Sequence, residues 1–303
     1  MVVVLALGIV CKNDTPITTV LNHAKNTIAV RYVIRRLNQP TAEIGNKLFV
    51  DVSKIYTRTT GPLYSTWAWF KWALYRWDAA FIGHAEDDAT IHYPILQQVV
   101  DATLKLSRSR PRLIFGNPEV YHWSSNFHSP YFWRYYNWDG LNCKITPMRY
   151  SNNTRGSIYG PFPFMTGSLF FMDRDTTNRL LVHPVVVSEK ESMQQRSGGT
   201  TPPWDDVFWG FSLSVSDIEN ISFVRVHGLF ESAPGGGRGS CALTTRKMVH
   251  HKMCSTANHT HFMKLASSSF FCAEKGRTCT NQTFYDCRGQ TQKKSFGRSR
   301  WSL

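Results

Sequence analysis

The stretch FIGHAEDDAT, residues 81–90, is an apolar run that stops at three consecutive acids, Glu86, Asp87 and Asp88. The chain carries 35 Lys and Arg against 21 Asp and Glu, so three adjacent negative charges need a cause. Adjacent acids are ordinarily a solvated turn, or the first turn of a helix whose dipole favours them. Their position in the chain argues for more. FIGHAE reads as a buried strand, and the segments around it alternate between strand-like and helix-like patterns. Such alternation implies parallel βαβ units in a sheet covered on both faces. In open sheets of that kind ligands bind beyond the carboxyl ends of the strands, which is where these acids fall.

Working outward, MVVVLALGIVC at the start is rich in β-branched residues and reads as a first buried strand, with a loop opening at Lys12-Asn13-Asp14. It is far shorter than the roughly 20 residues a membrane span needs. It also lacks the basic start and small-residue cleavage site of a signal peptide, so the chain is expected to begin at its functional domain. TTVLNHAKNTIAVRYVIRRL, residues 18–37, has apolar residues near helical spacing and is closed by Pro40, which predicts a helix. NKLFVDV (46–52) predicts a short strand. TTGPLYSTWAWFKWALYRWD (59–78) predicts a buried helix, with Pro62 near its start and Leu63, Trp67, Phe70 and Leu74 on one face. After the acids come a helix, YPILQQVVDATLKL (93–106), and a strand, RLIFGN (112–117).

The middle of the chain is different. YHWSSNFHSPYFWRYYNW (121–138) crowds nine aromatic rings, Trp133 and Trp138 among them, without helical or strand periodicity. It reads as an aromatic lid that fills core volume, or as a loop whose rings stack on a sugar or a base. GPFPFMTGSLFFMDRD (160–175) places Pro161, Pro163 and Gly167 before a strand, and glycine there would let backbone approach a ligand closely. SEKESMQQRSGGTTPP (188–203) is polar and reads as a mobile loop or linker. PPWDDVFWGFSLSV (202–215) predicts a helix opened by Asp205 and Asp206, acids that would cap it in the ordinary case.

A net charge of +14 and a pI near 9.6 imply an anionic partner: nucleic acid, a membrane surface or a phosphorylated small molecule. The basic residues are scattered and densest in the final RGQTQKKSFGRSRWSL, a solvated end by composition, so nucleic acid is not the expected partner. Of seven cysteines, Cys11 and Cys143 stand alone and Cys241, Cys254, Cys272, Cys279 and Cys287 lie in the last quarter. None has C-x2-C spacing, which favours disulfides in an oxidising compartment over zinc, with one thiol left over. Sequons at Asn13, Asn152, Asn220, Asn258 and Asn281 fit a lumenal location.

Glu86 and Asp88, two apart at a strand tip, can both direct oxygens into one cleft. Hard cations such as Mn2+ and Mg2+ take such ligands together with substrate phosphates. Taken in order, LFVDVSKIY (48–56), WAWFKWAL (67–74), FIGHAEDDATIHYPIL (81–96), GPFPFMTGSLFFMDRD (160–175) and WDDVFWGFSL (204–213) resemble the motifs of glycosyltransferase family 31. That family comprises the beta-1,3-galactosyltransferase, N-acetylglucosaminyltransferase and Fringe-like enzymes. The resemblance covers roughly residues 1–230.

It implies an α/β fold, a GT-A-like single Rossmann-type nucleotide-sugar-binding domain with a mixed, mostly parallel sheet. The domain would span 1–265, with a nucleotide-sugar and metal half (1–116) and an acceptor half (117–265). A Cys-containing basic tail, partly disordered, would occupy 266–303. The implied function is an inverting, metal-dependent hexosyltransferase that moves a hexose from a UDP-linked donor to a glycan or glycoconjugate hydroxyl, in beta-1,3 linkage. Asp206 would be the general base, Asp88 and Glu86 metal ligands for Mn2+ or Mg2+, and either His227 or His250 (beside His251) a third ligand. Asp87, Arg31 and Asp51 would contact the donor, and Gly167, Ser168, Asp205, Trp133 and Trp138 the acceptor side. The family's basic segment after the first strand is not intact here, Arg31, Arg35 and Arg36 being approximate substitutes, which bears on donor identity. A Golgi or secretory-lumen location is implied, with the usual membrane anchor and stem missing from this stretch; a complete chain would instead be cytoplasmic.

Two other classes fit the same acids. One is a carbohydrate- or nucleotide-binding protein without turnover, and the other a metal-dependent phosphohydrolase or nucleotidyltransferase.

Overall fold

A computed structural model describes residues 3–11, 27–36, 39–51, 60–87, 89–110, 112–124, 158–196, 205–226, 230–232, 248–251 and 282–286. In chain order the elements are β1 (Leu5–Val10), β2 (Ile28–Arg36), β3 (Ala42–Ile44), β4 (Lys47–Asp51), α1 (Thr60–Arg76), β5 (Phe81–Glu86), β6 (Ala89–Ile91), α2 (Tyr93–Ser107), β7 (Leu113–Phe115) and β8 (Pro118–Ser124). They continue with β9 (Ile158–Met165), β10 (Phe170–Asp173), α3 (Arg174–Val182), α4 (Pro184–Arg196), α5 (Asp205–Val215), β11 (Ser222–Val226), β12 (Phe230–Ser232), β13 (Val249–His251) and β14 (Gln282–Asp286).

The fold is α/β, built on a nine-stranded mixed sheet of mostly parallel strands in the order β14-β11-β7-β10-β5-β1-β2-β4-β3. β5, β1, β2 and β4 pair in parallel, as do β7 and β11, while β10, β3 and β14 run the other way. Every residue of β1 is buried, as a central parallel strand covered on both faces requires. Its alternate side chains feed two cores. Ala6 and Val10 join α1, α3 and α5 on one face, and Leu5, Leu7 and Ile9 join α2 on the other. Strands from beyond residue 117 interleave with earlier ones, since β10 lies between β5 and β7. The two sequence halves therefore share one sheet.

The predicted α1, α2, β1, β4, β5, β7, β10 and α5 form as the patterns indicate. Two expectations need correction. The helix expected over 18–37 is contradicted from Ile28 onward, because Ile28–Arg36 is strand β2, paired between β1 and β4. Ile28, Val30, Tyr32 and Ile34 alternate into one core, a period of two that β-branched residues satisfy more readily than a helix does. The polar linker expected over 188–203 is helical to Arg196, as part of α4, which begins at Pro184 and buries Val186 and Met193 at i and i+7. Within the stretch 266–303, residues 282–286 are described and form an edge strand antiparallel to β11. Pro161 and Pro163 fall inside β9, which pairs with β8 in a two-stranded ribbon where one side of each strand needs no donors.

Cys11 is buried and its thiol donates to Ile9 O at 3.5 Å; the other cysteines and the residues 288–303 lie outside the described residues. Among the described residues no helix is long and apolar enough to cross a membrane.

Candidate active site

Because β10 runs against β5, its beginning lies at the carboxyl edge of β5. The turn Thr166-Gly167-Ser168 that precedes β10 is thereby brought against the last residue of β5. Glu86 N–H donates to Gly167 O at 3.1 Å, and Gly167 N–H donates to Asp206 Oδ2 at 3.0 Å. One glycine thus joins the strand-tip acid to the helix-start acid through both of its backbone polar groups. A Cβ at position 167 would lie 2.5 Å from Glu86 Oε1, so the close approach of the Glu86 carboxylate depends on glycine. Thr166 and Ser168 flank it with hydroxyls 3.2 Å apart, and Ser168 is buried.

α5 is carried to this point by its contact with β9. Gly210 makes the contact possible, since a Cβ there would fall 2.3 Å from Phe164 Cβ and 2.8 Å from Pro163 O. Aromatic packing fixes the helix against α1. Trp67 stacks on Trp209 with centroids 5.7 Å apart, and Phe70 meets the same indole at 4.8 Å.

Asp206 sits in the first turn of α5, where the dipole favours an anion, and its second oxygen accepts from Val207 N–H at 2.8 Å. Even so its pKa is raised well above the ordinary 3.8. Burial is the main cause, the negative charges of Asp205 and Glu86 add to it, and the N–H donors of Gly167 and Val207 offset it only in part. An acid in that condition takes up a proton readily, which is the property a general base needs.

Asp205, expected on the acceptor side, faces inward. It is 4% exposed, Thr66 Oγ1 lies 3.3 Å from its Oδ2, and His84 Nε2 lies 3.6 Å from the same atom. Thr66 and His84, which the sequence reading passed over, are fully buried and 3.1 Å apart at Oγ1 and Nδ1. A signal was present for His84: it precedes Glu86 by two on a strand and so shares its face.

The remaining candidates are dispersed. Asp87 is half-buried in the turn after β5. Arg31 is two strands away, paired with Glu43 at 2.6 Å and lying 5.0 Å from the Trp77 ring, at the level of Gly8. Asp51 is exposed at the end of β4, opposite Arg36. His250 belongs to β13, whose backbone pairs with β6 so that His250 is opposite Thr90 and His251 opposite Ala89, directly after the acidic triplet. Asp88, His227, Trp133 and Trp138 lie outside the described residues. Among the described residues no group of three or more His, Cys, Asp or Glu is arranged to hold a metal ion. The chemistry of Glu86 and Asp87 nevertheless suits a hard cation, which takes one or two carboxylates and completes its shell with phosphate oxygens and water. No protein-family model and no curated protein matches the chain.

Proposed function

We propose that the protein is an inverting glycosyltransferase of the family 31 type with a GT-A-like fold. It would transfer a hexose from a UDP-linked donor to a hydroxyl of a glycan or glycoconjugate in the secretory pathway, in beta-1,3 linkage. The observation that carries the reading is the double hydrogen bond of Gly167. Two acids far apart in the chain meet across it, one at a strand tip suited to a cation and a diphosphate, the other with a raised proton affinity.

In this reading Glu86, with Asp88, would hold Mn2+ or Mg2+. Such a cation, when bound, offsets the charge on a departing diphosphate. Asp206 would take the proton from the acceptor hydroxyl, on the side of the sugar opposite the leaving group, as inversion demands; help of this kind is worth about 10²- to 10⁴-fold. The N–H of Gly167 holds Asp206 in line. Ser168 and Thr166 offer hydroxyls for the acceptor beside the base.

The test is a screen of nucleotide-sugars with Mn2+, read by thermal stabilisation and by transfer to free sugars. One UDP-sugar is expected to stabilise the protein, and EDTA to abolish both signals. Asp206→Asn should lose transfer and keep donor binding. Equal binding without turnover in both proteins would favour a carbohydrate- or nucleotide-binding role, and cleavage at phosphorus a phosphohydrolase.

A further inference from the structure

Two adjacent acids open α5, and successive residues of a helix point about 100° apart. Only one of them can face Glu86. If the first turn were rotated by one residue, Asp205 would stand where Asp206 stands, so something must select between them. The face of β5 that looks toward α1 and α5 carries Ile82, His84 and Glu86 in succession. Ile82 joins the apolar core, whereas His84 is a fully buried imidazole, 5.1 Å from the Phe170 ring. Apolar packing alone gives no reason for a histidine there. A buried polar side chain is retained where its partners are fixed.

We propose that His84 and Thr66 are positioning residues for Asp206: they draw Asp205 inward and so set the first turn of α5 with Asp206 facing Gly167 and Glu86. β5 and α5 are then registered at two points. His84 meets Asp205 at 3.6 Å, and one strand period further on the Glu86 side chain approaches Gly167, whose N–H holds Asp206. Thr66 ties α1 into the same node. Its hydroxyl has a single hydrogen and lies near three acceptors, Pro62 O at 2.9 Å, Asp205 Oδ2 at 3.3 Å and His84 Nδ1 at 3.1 Å. With the ring hydrogen on Nε2, His84 turns that N–H toward Asp205 Oδ2 and leaves Nδ1 to accept from the Thr66 hydroxyl, so that Thr66 acts on the carboxylate through the ring. The strand, the buried helix and the catalytic-side helix thereby meet at one carboxylate. The consequence for rate rests on reading Asp206 as the base; the consequence for geometry does not.

The Gly167 N–H reports the geometry directly, because it donates to Asp206 Oδ2. In ¹⁵N-glycine-labelled protein, His84→Leu and the near-isosteric Thr66→Val should both move the Gly167 amide resonance and cut its exchange protection about tenfold. The Gly210 amide, within α5, should keep its position and protection. His84→Gln, which returns a nitrogen near the place of Nε2, should recover part of the Gly167 signal. In a transfer assay kcat should fall about tenfold with the donor KM unchanged, and should fall no further when the change is added to Asp206→Asn. An unmoved Gly167 amide in both variants overturns the proposal, as does a parallel loss at Gly210, which would mean general loosening. Absence of transfer by the unaltered protein would sink the glycosyltransferase reading and leave the Gly167 result to decide the positioning.

Discussion

The carboxyl of Asp206 holds its proton further up the pH range than an ordinary aspartate because burial and two negative neighbours oppose its ionisation. An acid whose pKa is raised by folding favours the folded state below its unfolded pKa, and that advantage is lost as pH rises through the folded value. Asp206→Asn removes this loss. Urea unfolding of both proteins across a pH series should show the variant gaining on the parent as pH rises from about 3.8, then a constant gap once Asp206 is ionised. Parallel profiles would mean that Asp206 is not strained. Gly167 predicts a different outcome. In Gly167→Ala the new Cβ collides with the mobile end of Glu86 and not with backbone, so the side chain yields and the fold survives. Stability should change by no more than about 1 kcal/mol. Displacing the carboxylate should lower kcat about 10²-fold, as misplacement by an ångström can. A variant of full activity would show that the position of Glu86 is immaterial.

α5 illustrates how an element is placed by what it lacks. Gly210 faces Phe164 Cβ, Phe164 Cα and Pro163 O, and two of these three atoms are backbone. Gly210→Ala must therefore push the whole helix off β9, at a cost of about 1–3 kcal/mol for overpacking. Since Asp205 and Asp206 travel with the helix, denaturation midpoint and transfer rate should fall together. That contrasts with Gly167→Ala, where the rate falls alone. The same elements show where local pattern misleads. Residues 28–36 have apolar positions compatible with either period, and pairing on both sides by β1 and β4 makes them strand. Residues 188–196 are polar enough to resemble a linker, yet Val186 and Met193, one on each side of the stretch's beginning, anchor one face of α4 to the core.

For the molecule as a whole, the interleaving of β10 between β5 and β7 makes the two sequence halves one folding unit among the described residues. A fragment of residues 1–116 would leave β5 and β7 with unpaired edges in the middle of the sheet and would lose α3 and α5 from the core that covers α1. Such a fragment is expected to aggregate and to show no cooperative thermal transition. A sharp transition of its own, by circular dichroism, would show that the halves are separate domains.

Much of the architecture is written locally. The apolar run of β1, the one-sided helices α1 and α2, and the acids ending β5 are legible because burial imposes a period of 3.6 or 2 on short stretches of chain. The composition of α5 likewise announces a helix opened by two acids. Which of those acids faces Glu86, and that they meet Gly167 at all, depends on contacts between residues remote in the chain: Gly167 and Asp206 are 39 apart, and Thr66 and Asp205 are 139 apart. No local period encodes such a meeting. It follows from the reversed direction of β10, which turns the start of that strand toward the carboxyl end of β5, and from the missing side chains at 167 and 210, which let backbone and carboxylate close to hydrogen-bonding distance.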